Sequence, residues 1–184
     1  KTGRPPDRKQ MRWLKENGRA PQPDDAKFIM SNNVNIKQLT ELFGYIIPLP
    51  LWSEIEDDLR DDLQTIELYE DTISTLQNLK NRGYKLALCS NLARYYGEQL
   101  KKLIPDLFDL IVLSYEVGHI KPEQQIYAMI ETHFKCDMKE MLFIGDHPVL
   151  DVEKPISLGM NARIINRHQE QNLLDVLGDL ITRQ

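Results

Sequence analysis

Apolar positions before residue 67 recur at helical spacing between frequent breakers, whereas beyond residue 84 helical repeats alternate with short continuous apolar runs. The breakers are Pro5-Pro6, Gly18, Pro21, Pro23, Asn32-Asn33, Pro48 and Pro50, and they predict short helices around Arg8–Lys15, Asp24–Met30 and Ile36–Phe43. Ile55, Leu59, Leu63 and Ile66 then mark a longer helix, with Glu54, Glu56, Asp57, Asp58, Asp61 and Asp62 on its other faces. That acidic crowd lacks the turn glycine and ligand spacing of a calcium loop, so it reads as the wet side of a helix. Asp71–Arg82 is a helix stopped by Gly83, and Tyr84–Cys89 is a strand. Leu92, Tyr96, Leu100 and Leu103 mark the next helix, which Pro105 ends. Leu110–Leu113 is the kind of run that a parallel strand shows when covered on both faces. A helix opening at Pro122 carries Ile126, Met129, Ile130 and Phe134. Met141–Ile144 and Ala162–Ile165 are two further strands, and Leu173, Leu177 and Leu180 belong to a closing helix. This alternation predicts an α/β fold, a doubly wound parallel sheet of Rossmann type with right-handed crossovers.

Composition narrows the class without naming an activity. A chain of 184 residues buries roughly 70% of its unfolded surface and needs no disulfide or metal staple. It is 41% hydrophobic and 28% charged, which excludes disorder, and no apolar run approaches the ~20 residues of a membrane span. Cys89 and Cys136 are too few for a disulfide framework and no signal-like segment opens the chain, so a cytoplasmic location is expected. The net charge of −5 is uneven: the first twenty residues carry +5 and the remainder −10. Aromatic residues that could stack on bases are sparse in that basic stretch, and Gly3-Arg4-Pro5 is too short a likeness to a minor-groove hook. It reads as a solvated helix face or linker, with no nucleic-acid or membrane partner expected. The first residue is Lys1.

In an open parallel sheet, ligands bind beyond the carboxyl ends of the strands, where helix N-termini and their unpaired amides point. The first strand is followed by Ser90-Asn91, the second by Ser114–Pro122 with Lys121 near its end, and the third by Gly145-Asp146 with Asp151 five residues on. Singly these are ordinary residues: a helix N-cap, a solvated lysine, a turn cap and an exposed helical carboxylate. Together on one edge they form the set that phosphoryl transfer needs. Ser90 and the amides after it can donate to a phosphate at a positive helix end. Lys121 is a fixed cation for the equatorial oxygens. Asp146 is the candidate Mg²⁺ ligand, behind a glycine that admits close approach, and Asp151 can take the metal through water or hold the Lys121 ammonium.

Leu86–Asn91 (LALCSN), Gly118–Pro122 (GHIKP) and Phe143–Asp151 (FIGDHPVLD) resemble motifs two, three and four of the haloacid dehalogenase-like hydrolases. Leu68–Gly83 and Asp151–Asn161 resemble the flanking stretches, so the likeness covers about the last two-thirds of the chain. It implies a Mg²⁺-dependent hydrolase, in most members a phosphatase, here acting on a small phosphorylated metabolite through an aspartyl-phosphate. By position it implies a helical cap over residues 1–66 and the α/β core over 67–184. The family's first motif, a mid-sheet strand ending in Asp-x-Asp that carries the nucleophile, is not found. Asp24-Asp25, Asp57-Asp58 and Asp61-Asp62 follow no strand, and Ala26–Met30 (AKFIM) is followed by Ser31-Asn32-Asn33. Loss of that strand leaves two interior sheet edges unpaired. A preceding N-terminal segment, for which Lys1 in place of Met speaks, a strand from another polypeptide, or a non-catalytic relative each account for the omission. The chain alone is therefore expected to be inactive, with a phosphate-binding regulatory module as the alternative to an enzyme. Cys89, Trp13 and Trp52 are expected to be packing residues, and His119 and His147 loop residues near the site.

Overall fold

The computed structural model describes residues 8–104 and 106–182. Lys1 and the Gly3-Arg4-Pro5 stretch lie outside them. Four helices form the first third: α1 (Arg8–Glu16), α2 (Asp25–Ser31), α3 (Ile36–Leu42) and α4 (Leu49–Gln64). Leu14, Ile36, Leu39 and Ile55 are their buried apolar positions. Asn35 and Gln38 close a reciprocal capping box at the start of α3. Arg19 forks onto the Asp25 carboxylate at 2.5 and 2.8 Å and lies over the Phe43 ring, tying the turn before α2 to the end of α3. That fork is why AKFIM is helical: Asp25 starts the helix and also accepts the Gln22 amide.

The remainder alternates strand and helix: α5 (Thr72–Asn81), β1 (Ala87–Ser90), α6 (Arg94–Leu103), β2 (Leu110–Leu113), α7 (Ser114–Val117), α8 (Gln124–Phe134), β3 (Leu142–Gly145), α9 (Lys154–Ser157), β4 (Asn161–Ile164) and α10 (Leu173–Thr182). A wide π-helical turn, Pro148–Glu153, joins β3 to α9. This is a Rossmann-type α/β architecture with every strand pairing parallel. β1 is shorter at its start than the sequence suggests, because the Leu86 amide turns to the Asp109 carboxylate instead of joining a ladder. α8 begins two residues after Pro122, which sits in the turn following Lys121.

Within the described residues the strands form two separate pairs, β1 with β2 and β3 with β4. The two apolar cores lie on opposite faces. One gathers Val112, Ile126, Tyr127, Ile130 and Met160, and the other Leu79, Leu86, Leu177 and Ile181. A cleft of about 1140 Å³ runs between the pairs and touches both cores. Its walls include Leu86–Leu88 on the β1 side and Met141–Ile144 on the β3 side. Asp71 braces this arrangement from below, accepting Arg167 at 2.9 Å and the Leu173 amide at 2.5 Å, which joins the starts of α5 and α10.

Candidate active site

The site is assembled at the carboxyl ends of β1, β2 and β3, where three loops meet. Lys121 is its centre. The side-chain amide of Asn91 accepts the Lys121 backbone N–H at 2.7 Å and donates to the Lys121 carbonyl at 2.9 Å. This reciprocal pair fixes the lysine backbone against the loop after β1. The ammonium then reaches the Asp151 carboxylate, Nζ to Oδ1 at 2.5 Å, with the two side chains only 10% and 5% exposed. The Phe143 ring, 5.4 Å away, adds an aromatic face beside the cation.

Asp151 is held from both sides. Its second oxygen accepts the His147 amide at 3.0 Å, so the carboxylate bridges the lysine and the loop after β3. Room for it exists only because residue 145 is glycine: a Cβ there would stand 2.3 Å from the Asp151 carboxyl carbon. Each oxygen accepts from a donor of the chain, so Asp151 ties the Lys121 ammonium to the loop after β3. Asp146 is the opposite case. It is exposed and makes no hydrogen bond or ion pair within the described residues.

Ser90 ends β1 half-buried, with a hydroxyl that no described group engages. Asn91 is committed to Lys121, and the next amide, Leu92, donates to the Ser114 hydroxyl at 2.9 Å. These two therefore hold the loop against the Lys121 and Ser114 segments. α6 starts at Arg94, so neither Ser90 nor Asn91 is its N-cap. The sequence brings Ser90, Lys121, Asp146 and Asp151 to one edge, and the structure keeps them there with divided roles.

Three positioning groups escaped the sequence reading. Ser114 is fully buried and pins the β1 loop through both its hydroxyl donor and acceptor. Tyr127 donates its hydroxyl to the Leu150 carbonyl at 2.6 Å, fixing the π-helical turn that carries Asp151. Glu123 accepts from Lys27 of α2 at 2.6 Å and bonds His119 at 3.0 Å. The Lys27 ammonium, then His119, hold its carboxyl below the usual range. Only the helical spacing of Tyr127 in α8 hinted at any of these. Cys89, beneath the site, has its thiol pushed up to about 11 by burial, which keeps it protonated and unreactive. His119 and His147 sit in the site loops, and the His147 ring accepts the Leu150 amide.

A family model described as haloacid dehalogenase-like hydrolase matches residues 11–165. A glyceraldehyde 3-phosphate phosphatase of Methanothermobacter thermautotrophicus is 32% identical over 118 residues, covering 59% of this chain and 52% of that protein. Pyrophosphatase PpaX of Bacillus cereus is 31% identical over 99 residues, covering 52% and 44%. The chain thus spans about half the length of the curated relatives it matches. Among solved structures, a predicted HAD-like family hydrolase from Porphyromonas gingivalis superposes with a TM-score of 0.69 at 17% identity, over 97% of this chain and 88% of that one. A HAD phosphatase from Thermococcus onnurineus gives 0.62 at 25% identity, over 92% and 78%. A HAD family enzyme of Bacteroides thetaiotaomicron, solved with magnesium and inorganic phosphate, gives 0.63 at 18% identity over 85% and 80%.

Proposed function

The chain belongs to the haloacid dehalogenase-like hydrolases, and on that premise we propose that it carries the phosphate- and Mg²⁺-binding side of a phosphatase active site for a small phosphorylated metabolite. One observation carries this reading: a nearly buried Lys121–Asp151 pair stands on the same sheet edge as the exposed, unengaged Asp146. A lysine whose backbone and ammonium are both fixed is ready to meet charge on a phosphoryl group without reorganising.

The donor set suits Mg²⁺ shared with a substrate. Mg²⁺ takes one or two carboxylates and completes its shell with water and phosphate oxygens. Asp146 offers one such carboxylate, while the described residues contain no group of three or more acidic, histidine or cysteine side chains that could cage an ion alone. When bound, the ion would neutralise phosphate charge. Lys121 would hold the equatorial oxygens, Ser90 would donate from the opposite loop, and Asp151 would keep the ammonium aimed.

The nucleophile belongs to this proposal as well. No described strand ends in Asp-x-Asp. We place that carboxylate on a parallel strand lying in the cleft between β1 and β3, contributed by a segment beyond residues 8–182 or by a second polypeptide. Such a strand would pair with both neighbours and fill a cleft that opens to both cores. Its carboxylate would attack phosphorus, expel the alcohol and form an aspartyl-phosphate that water then hydrolyses. Residues 1–66 would form the cap that selects the substrate. The absence of Asp-x-Asp from the four strands among the described residues equally supports a second reading, a phosphate-binding module without turnover.

Calorimetric titration with inorganic phosphate in Mg²⁺ tests the shared part of both readings. Binding that weakens tenfold or more in Lys121→Ala and Asp146→Ala is expected. Equal binding by all three proteins, or none by the parent, would overturn the assignment.

A further inference from the structure

The N-terminal helices meet the core mainly where α2 packs on α7, next to the loop that presents Lys121. Two contacts define that junction. The Ser31 carbonyl, at the end of α2, lies 4.0 Å from where a Cβ of Gly118 would stand. Gly118 itself has φ +76°, the left-handed turn that ends α7 and sends the chain towards Lys121. The second contact is Lys27 of α2 on Glu123, at 2.6 Å.

Glu123 is a shared acceptor. One oxygen takes the Lys27 ammonium, while the other faces His119 Nδ1 at 3.0 Å and the Ile120 amide at 3.4 Å. Those two loop groups directly precede Lys121, whose backbone is clamped by Asn91 and whose ammonium is on Asp151. A single carboxylate therefore joins a helix of the first third to the loop of the proposed phosphate site. α2 has seven residues, too few to hold a helix by itself in water, so its place depends on what it docks against.

We propose that Glu123 is a positioning residue that couples the docking of helix α2 to the setting of the Lys121 loop. The inference rests on the reading of Lys121 as the phosphate-site cation. Engagement of Lys27 orients the carboxylate, the carboxylate orders Ile120 and His119, and the ordered loop presents Lys121. Because coupling of this kind is reciprocal, loosening either partner loosens the other.

Amide hydrogen exchange on the full chain reads this without substrate. Lys27→Met is expected to speed exchange at Ile120 about two- to fivefold, the range of a partly exposed ion pair, while circular dichroism stays unchanged. Lys27→Arg should restore the parent rate. Glu123→Gln should speed exchange at Ile120 and, reciprocally, in α2 at Phe28–Ser31. Lys37→Met, on α3, should change neither segment. Parent-like exchange at Ile120 in Lys27→Met, or failure of Lys27→Arg to restore it, would overturn the coupling. A parent protein that binds no phosphate would instead refute the functional reading and leave these exchange results standing.

Discussion

Replacing Asp151 by Asn keeps the shape of the side chain, removes its charge and turns the oxygen that accepts the Lys121 ammonium into an NH2 donor. The amide has the same shape, so the close approach to Gly145 is kept, and its oxygen can still accept the His147 amide. What is lost is the partner of a lysine ammonium that is only 10% exposed. At the 2.5 Å separation and an effective dielectric of about 20, the gross attraction is about 7 kcal/mol. Desolvating the two ions costs several kcal/mol each, so the intact pair is worth little net. The cost of Asp151→Asn therefore comes from an ammonium left buried alone, about 3–5 kcal/mol, or a fall in Tm of roughly 6–20 °C for a domain of this size. Lys121→Met leaves the carboxylate uncompensated and should cost a similar amount. The double variant Lys121→Met/Asp151→Asn removes both charges and should cost less than either single variant, so the coupling energy is at least one single effect, about 3–5 kcal/mol. Urea unfolding followed by circular dichroism and by Trp13 and Trp52 fluorescence supplies all four corners of the cycle. Additive single effects below about 0.5 kcal/mol would show that the pair is solvated, and the argument for a fixed cation would fall.

Three further outcomes test the scaffold. Gly145→Ala sets a methyl 2.3 Å from a carboxylate that is anchored on both sides, so it should cost about 1–3 kcal/mol or more and displace Lys121; a parent-like urea midpoint would refute this. Gly97→Ala, on α6, would meet the Tyr115 ring at 2.1 Å, and thermal melting should show a loss of about 1–3 kcal/mol despite the better helix propensity of alanine. Asp109, held by the Lys80 ammonium and then the Leu86 amide, has its pKa lowered from 3.8 to about 2. A carboxylate depressed on folding contributes stability above its unfolded value that is lost as pH falls through the folded one. Melting temperature should accordingly fall between pH 4 and pH 2 less steeply in Asp109→Asn than in the parent.

The α/β rhythm was legible because its signals are local. Leu110–Leu113 is β2 to the residue, and the first three helices match the spans read from the sequence to within one residue at each end. Ser90, Lys121, Asp146 and Asp151 were legible because each follows a strand, which puts its loop on the ligand-binding edge. How these residues divide the work was not. The Asn91–Lys121 clamp joins loops thirty residues apart, and the Lys27–Glu123 contact joins α2 to the residue that precedes α8. Such partners are chosen by tertiary packing and leave no periodic trace. Tyr84–Leu86 reads as strand by composition yet lies outside β1, since the Leu86 amide goes to the Asp109 carboxylate while its carbonyl accepts the Asp109 and Leu110 amides where β2 begins. The described strands form two separate pairs with a cleft between β1 and β3, an arrangement that no local signal of the chain encodes.

On the proposed reading, this chain holds a phosphatase site complete but for a strand and its nucleophile. Its most direct test is hydrolysis of an aryl phosphate in Mg²⁺ by the chain alone, and by the chain carrying ahead of Lys1 an apolar strand that ends in Asp-x-Asp. No turnover is expected from the first, and Mg²⁺-dependent turnover from the second that disappears when the leading aspartate becomes Asn or when Asp146 becomes Ala. Turnover by the chain alone, or a strand-bearing protein that folds and binds phosphate without any hydrolysis, would contradict it.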